Sequence, residues 1–308
     1  MIAYIFPGQN SQFAGMGRRL AQDSAIAAEV FRIADSQLGY PLSEIMFGED
    51  AEALKPTQVQ QPAIFVHSVA AFAALRKRHE AGPAMVAGHS LGEYSALVAA
   101  GCIGLPQAVR LVSKRGELMA RAADQGKGTM AAIVKLDTDT VDRIVEQASA
   151  HGVLAVANYN CPGQIVISGE PQAVAAASDL AKDSGGRAIA LKVSGAFHSP
   201  LMAPAAAELT PFIDELDIGP PTVPIVSNVD ATPRTDPDEI KHALVQQVTG
   251  SVRWHDSIRQ MIARGVDTFV EVGPGTVLSK MIPRIDKDVV VLNVADMAQV
   301  HAACPALC

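Results

Sequence analysis

The stretch VAGHSLGEYSALVAAG, Val86 to Gly101, constrains this chain more than any other. A short apolar run stops at Gly88. A serine then stands between two glycines, Gly88 and Gly92, and a small, alanine-rich helical pattern follows. Strand, tight turn and helix in that order put Ser90 on a sharp corner at the edge of a sheet. Glycine on either side permits a strained backbone and close approach of neighbouring chain. The following helix aims its free N–H groups and its dipole at the corner, where they favour developing negative charge. The Leu91 amide would then supply half of an oxyanion hole. The alternative is a plain strand–turn–helix corner that carries a serine by chance.

The rest of the chain suits such a corner. Ile2 to Phe6 reads as a buried strand ending at Pro7-Gly8, and AMVAGH as another. Between and after them SAIAAEVFRIADSQLG has apolar residues at helical spacing and a terminal glycine, TQVQQPAIFVHSVAAFAALRKR reads as a longer helix with a proline early in it, and LPQAVRLVSKRGELMARAAD as another helix. Strands alternating with helices predict a mostly parallel sheet covered on both faces. The rhythm then changes. GTMAAIVKL, DTDTVDRIVEQASAHG, LAVANYN, QIVISG, EPQAVAAASDLAKDSGG and RAIALKVS read as βαββαβ, the order of a ferredoxin-like unit. This places a small inserted subdomain at residues 126–192 and a large one at 1–125 and 193–308. The large part resumes with helix SPLMAPAAAELTPFIDEL, strand VPIVSNVD, a helical segment through Arg264 and strand DTFVEVG.

Bulk properties agree. A chain of 308 residues with 49% hydrophobic and 19% charged residues can bury a sizeable core as one large domain or two unequal parts. Net charge is −7, and RKR at Arg76 to Arg78 reads as a solvated helix end, so no nucleic-acid surface is expected. The cysteines, at 102, 161, 304 and 308, fit no zinc spacing and read as reduced thiols. The N-terminus MIAYIFPGQN lacks the basic segment and long apolar core of a signal peptide, and no apolar stretch reaches membrane-span length. A soluble cytoplasmic protein is the expectation.

A serine nucleophile needs a base. Of eight histidines, His89 adjoins Ser90, but neighbouring side chains on such a corner diverge. His198, in VSGAFHSP, follows a predicted strand and precedes a helix, on the kind of loop that carries catalytic side chains. No acid is an obvious third member. Asp137, Asp139 and Glu170 fall in helices or turns of the inserted unit, so a dyad with a neutral group orienting the imidazole is the simpler expectation.

Arg115 is the most informative single residue. The apolar face of its helix runs Ala108, Leu111, Val112, Leu118, Met119, Ala122, and steps of three and four place Arg115 in the middle of that stripe. A guanidinium facing the core needs an anion. That anion is either a buried Asp or Glu in a structural pair or the carboxylate of a substrate held by two prongs. Gly116 beside it costs about 1 kcal/mol in a helix interior, which implies a close approach by something.

Taken together, FPGQNSQ, TQVQQPA, GHSLGEYSALVAAG, LVSKRGELM, NYNCPGQIVISG, GAFHS, SNVDA, SVRW and EVGPGTVLSKMI resemble, almost end to end, the malonyl-CoA:acyl carrier protein transacylases and the free-standing acyltransferases of polyketide synthesis. The resemblance implies an α/β-hydrolase-like large subdomain with the ferredoxin-like one inserted. It implies that Ser90 forms an acyl-enzyme, that His198 is its base and that Arg115 clamps the malonyl carboxylate. The amides of Gln9 and Leu91 would form the oxyanion hole, and the main-chain carbonyl of Gln247 would hold the imidazole. Gln61, His89 and Asn160 match further polar positions of the site, and Met119 and Phe197 match pocket walls. Asn10 stands where the family usually has glycine, and Ser251 where it has proline. GAFH resembles malonyl-selective members, since Phe197 leaves little room at the α-carbon.

The expected reaction moves malonyl from malonyl-CoA to Ser90 and then to the phosphopantetheine thiol of an acyl carrier protein, in fatty acid or polyketide synthesis, with no metal or redox cofactor. The enzymatic rivals are an acyltransferase for another acyl unit and a hydrolase that passes the acyl group to water. The non-enzymatic rival is a binding module, which would be expected to lack one of Ser90, His198 or Arg115.

Overall fold

A computed structural model describes residues 1–79, 81–126 and 128–307. The chain opens with β1 (Ile2–Phe6), then α1 (Arg18–Asp23), α2 (Ala25–Leu38), α3 (Leu42–Phe47) and α4 (Thr57–Arg78). β2 (Met85–Gly88), α5 (Gly92–Ala99) and α6 (Leu105–Gly126) follow. The middle runs β3 (Thr129–Val134), α7 (Thr138–Ala148), β4 (Leu154–Cys161), β5 (Gln164–Gly169), α8 (Pro171–Asp183) and β6 (Arg187–Ala190). The last part is α9 (Ala203–Asp214), β7 (Ile225–Val226), β8 (Pro233–Arg234), α10 (Pro237–Gln247), α11 (Trp254–Ala263), β9 (Thr268–Val272), α12 (Val277–Ile285), β10 (Val290–Val294) and α13 (Met297–Ala303).

β1 is central because both its faces are apolar. Tyr4 and Phe6 pack with α2, α4 and α6 on one side, while Ala3 and Ile5 pack with α11 and α12 on the other. The sheet runs β10-β9-β1-β2-β7-β8, with all pairs parallel except β7 with β8. The middle segment forms a second, wholly antiparallel sheet in the order β4-β5-β3-β6. Its core is shared with α7 and α8 through residues such as Ile133, Val141 and Ala177. That strand order is the ferredoxin-like one, so both expected layers are present.

The two sheets meet at a short junction. Tyr159 N–H donates to the Val252 oxygen at 2.9 Å, and Val252 N–H to the Ala157 oxygen at 2.8 Å. Ser251, in the place of the family's proline, donates its hydroxyl to the Val156 oxygen. This turns the Asn158–Asn160 edge of β4 toward the corner after β2.

Some elements differ from the expectation. VPIVSNVD forms only the two-residue strand β7, because Ser227 and Asn228 leave the ladder for other partners. RAIALKVS is ordered as a strand only over Arg187–Ala190. The short elements α1, α3 and β8 carry too few residues to show a period, and α12, β10 and α13 follow the last strand that the pattern named. The glycine at 116 answers to α4. A Cβ there would lie 3.1 Å from both Gln58 Cα and the Thr57 oxygen, so the close approach is between helices. Cys102 and Cys161 are buried thiols outside any disulfide, and Cys308 lies outside the described residues. Among the described residues no helix is long and apolar enough to cross a membrane.

Candidate active site

The corner after β2 is held by close packing. A Cβ on Gly88 would lie 1.9 Å from the Gly92 carbonyl carbon, and one on Gly92 would lie 2.1 Å from the Phe6 oxygen. Only glycine fits either place. Between them Ser90 has φ 52°, a left-handed conformation that costs energy for a residue with a side chain. Asn228 fixes it. Its Oδ1 accepts from Ser90 N–H at 2.7 Å and its Nδ2 donates to the Gly88 oxygen at 2.6 Å. The sequence motif SNVDA contains this residue, but nothing in its spacing reveals a partner 138 positions away.

His198 also has positive φ, 56°, in the loop ahead of α9. Its Nε2 lies 2.7 Å from Ser90 Oγ. Its Nδ1 lies 3.0 Å from the carbonyl oxygens of both Gln247 and Gly250. Two carbonyls can only accept, so Nδ1 carries the proton and Nε2 presents a lone pair to the serine hydroxyl. Burial, reinforced by the nearby Arg115 cation and His89, pulls the imidazole down to about 3. It is therefore neutral and ready to accept a proton across the physiological range.

Arg115 is fully buried behind the serine. Its guanidinium donates to Gln61 Oε1 at 2.6 Å, Gln247 Oε1 at 3.0 Å and Ser90 Oγ at 3.2 Å. Tyr94 packs its ring 5.2 Å from the guanidinium carbon. Nε has no partner, and among the described residues no carboxylate forms an ion pair with it. Burial lowers its proton affinity, but an arginine remains charged. The cation on the core face thus lacks the structural counter-ion that would explain it.

One carboxylate stands nearby without touching it. Glu93, on the first turn of α5, is buried, and its Oε2 accepts from Gln247 Nε2 at 2.7 Å. Burial pushes it up to about 7 against the hydrogen bonds from Gln247, Ser227 and Asn228. A charged residue in the small, apolar helix GEYSALVA was the available signal for it in the sequence.

Ser90, His198, Gln9, His89 and Phe197 line one cavity of about 80 Å³, with Asn10 at its rim. A second cavity of about 260 Å³ shares Gln9, Asn10 and Phe197 and extends to Lys55 and Lys192. Asn10 has φ 71°, which asparagine tolerates where glycine is usual. His89 turns away from the serine, and its Nε2 lies 2.9 Å from Asn160 Oδ1 on β4. Gln9 is braced by its side-chain amide on Gln60 at 2.7 Å. Neither the Gln9 nor the Leu91 amide has an acceptor among the described residues, which leaves both donors available to an oxyanion. Met119 lies deeper, its sulfur 3.5 Å from Gln61 Nε2, and does not line the cavity. A larger cavity of about 590 Å³, lined by Lys135, Tyr159 and Arg253, holds none of these groups. Among the described residues no cluster of His, Cys, Asp and Glu could hold a metal ion.

The acyl transferase domain family matches residues 3–302. The malonyl CoA-acyl carrier protein transacylase of Bacillus subtilis is 45% identical over 306 residues, covering 98% of this chain and 96% of the relative. An acyl carrier protein S-malonyltransferase from Vibrio cholerae has a crystal structure that superposes with TM-score 0.95 at 41% identity, covering 98% of this chain and 99% of that one. A malonyl-transacylase solved in complex with its type II polyketide synthase acyl carrier protein superposes with TM-score 0.96 at 38% identity, covering 99% of each chain. The chain belongs to the acyl transferase domain family, among the malonyl CoA-acyl carrier protein transacylases.

Proposed function

We propose that this protein transfers a malonyl group from malonyl-CoA to the phosphopantetheine thiol of an acyl carrier protein, through a malonyl ester of Ser90. The observation that carries the reading is the constellation around one oxygen. Ser90 Oγ has a neutral base 2.7 Å away and, 3.2 Å away, an arginine that no carboxylate neutralises. Simple acyl chains would leave that cation buried without an anion, whereas malonyl brings one.

In the first half-reaction His198 Nε2 takes the hydroxyl proton as Ser90 Oγ attacks the thioester carbonyl. The Gln9 and Leu91 amides receive the oxyanion. The C–S bond breaks, and the proton on His198 passes to the departing CoA thiolate. In the second half-reaction His198 takes the proton of the carrier thiol, whose sulfur attacks the malonyl-serine ester. The C–O bond breaks and Ser90 regains its proton. Arg115 holds the substrate carboxylate in both halves, exchanging its hydrogen bond to Ser90 Oγ for the carboxylate. We place the reaction in the cytoplasm, where an acceptor thiol stays reduced.

Mass spectrometry of the intact protein after incubation with a mixture of acyl-CoAs tests this. The expected result is a malonyl adduct on Ser90 that is discharged by a holo acyl carrier protein and absent from Ser90→Ala. An adduct on Ser90→Ala, or discharge to water as fast as to the carrier, would overturn it.

A further inference from the structure

We infer that Glu93 is a positioning residue for the carboxylate end of the substrate, acting through the side chain of Gln247 on Arg115. The inference rests on the malonyl reading above. Glu93 itself touches neither Ser90 Oγ nor His198. What it touches is the amide that does the holding. Gln247 is fully buried, and every polar atom of its side chain is committed. Nε2 donates to the Ser90 oxygen at 2.9 Å and to Glu93 Oε2 at 2.7 Å, and Oε1 accepts from Arg115 at 3.0 Å.

The orientation of that amide has one solution. A guanidinium only donates, so the amide oxygen must face Arg115. The NH₂ group then faces two acceptors, and the Glu93 carboxylate is one of them. A flipped amide would set its oxygen against two oxygens and its hydrogens against a cation. With Glu93 shortened, one N–H has no acceptor in a buried place, and the penalty for rotating the amide drops. Arg115 then keeps Gln61 but loses the second carbonyl that aims its Nη2 at the serine.

The indirect link also has a chemical logic. A carboxylate paired directly with Arg115 would occupy the prongs that a substrate needs. Set one amide away, Glu93 anchors the Gln247 side chain and leaves the guanidinium free. Ser227 Oγ at 3.1 Å and Asn228 N–H at 3.4 Å hold the carboxylate from behind. Asn228 is the residue that fixes the Ser90 turn, so nucleophile and clamp are registered against the same group.

The test compares the full-length wild type with Glu93→Ala, Glu93→Asp and Glu93→Gln. It measures kcat and KM for malonyl-CoA and acetyl-CoA, alongside thermal melts. Alanine removes the acceptor and aspartate retracts it while keeping a carboxyl group. In both, the malonyl-to-acetyl ratio of kcat/KM should fall about tenfold or more, as expected for a lost hydrogen bond in a charged network, with most of the change in the malonyl KM. Glutamine can still accept from Gln247 through its amide oxygen and should restore most of the ratio. Should the alanine variant not fold, the aspartate variant carries the same reading. Equal losses on both substrates, or an unchanged ratio, would overturn the role of Glu93. A wild type that does not prefer malonyl would instead overturn the malonyl reading itself.

Discussion

His198 Nδ1 donates to the main-chain oxygen of Gln247 at 3.0 Å, in the position where a serine hydrolase keeps a carboxylate. A carbonyl orients the ring as well as a carboxylate does, but it does little to stabilise the imidazolium. The Gly250 oxygen, also at 3.0 Å, adds a second neutral acceptor. The base is thus oriented by dipoles while the Arg115 cation sits close by.

The acid limb of the reaction should therefore lie well below the ordinary histidine range. His198 is pulled from 6.5 down to about 3, so its basic form persists as pH falls through 6 and 5. The rate of malonyl-serine formation, followed by rapid quench, should show no histidine limb between pH 8 and pH 5. Arg115→Ala removes one cause of the depression and should move the limb upward. A wild-type midpoint near 6.5 would contradict this account. The same depression bears on stability. Below pH 6.5 the unfolded chain binds protons that His198, His89 and His67 decline in the fold, so stability should fall with pH there.

Arg115→Ala should separate substrates by charge. A hydrogen-bonded contact to a charged group is worth about 1.5–3 kcal/mol, so malonyl kcat/KM should drop at least about tenfold. Acetyl-CoA has no carboxylate to lose and should be little affected or improved. Parallel losses would mark the arginine as structural.

Phe197 lines the cavity beside Ser90 and should limit substitution at the α-carbon. Phe197→Ser should raise use of methylmalonyl-CoA relative to malonyl-CoA by about tenfold or more, the range expected for one methyl in an apolar pocket. Competition between the two thioesters, with the acyl-enzymes weighed by mass spectrometry, measures the ratio. No change would move the discriminating wall elsewhere.

Glu93 should leave a signature in stability against pH. Its folded value, about 7, lies above the ordinary 4.5, so between those values the folded protein binds a proton that the unfolded chain has released. Stability from this group is therefore lost as pH rises from about 4.5 to 7, by a few kcal/mol. Glu93→Gln lacks the titration. The difference in denaturation free energy, variant minus wild type, should increase across that window and level off above it. A flat difference would show that Glu93 is ionised throughout.

How legible the protein was depended on how local each signal is. β1 and β2 are short apolar runs buried on both faces, with helical segments between and after them, so the parallel sheet could be read. Arg115 interrupts an apolar stripe and could be singled out before its surroundings were known. His198 stood out by its loop. Asn228 and Gly250 did not, because their roles lie in a side-chain bond and a carbonyl aimed across the fold. The close approach at Gly116 was legible as an approach, but not as the backbone of α4. Met119, expected on the pocket wall, does not line the cavity beside Ser90, and its sulfur lies 3.5 Å from Gln61 Nε2.

The clasp of Asn228 on the Ser90 turn also sets a timetable. The left-handed serine is unfavourable alone and is held by a residue 138 positions further along, beyond the whole second sheet. Such a distant closure is slow and comes after local structure. A half-refolded chain should therefore own the serine before it owns a competent nucleophile. In refolding followed by trapping with malonyl-CoA, competence should return with the last folding phase. Acylation of an early intermediate would refute that order.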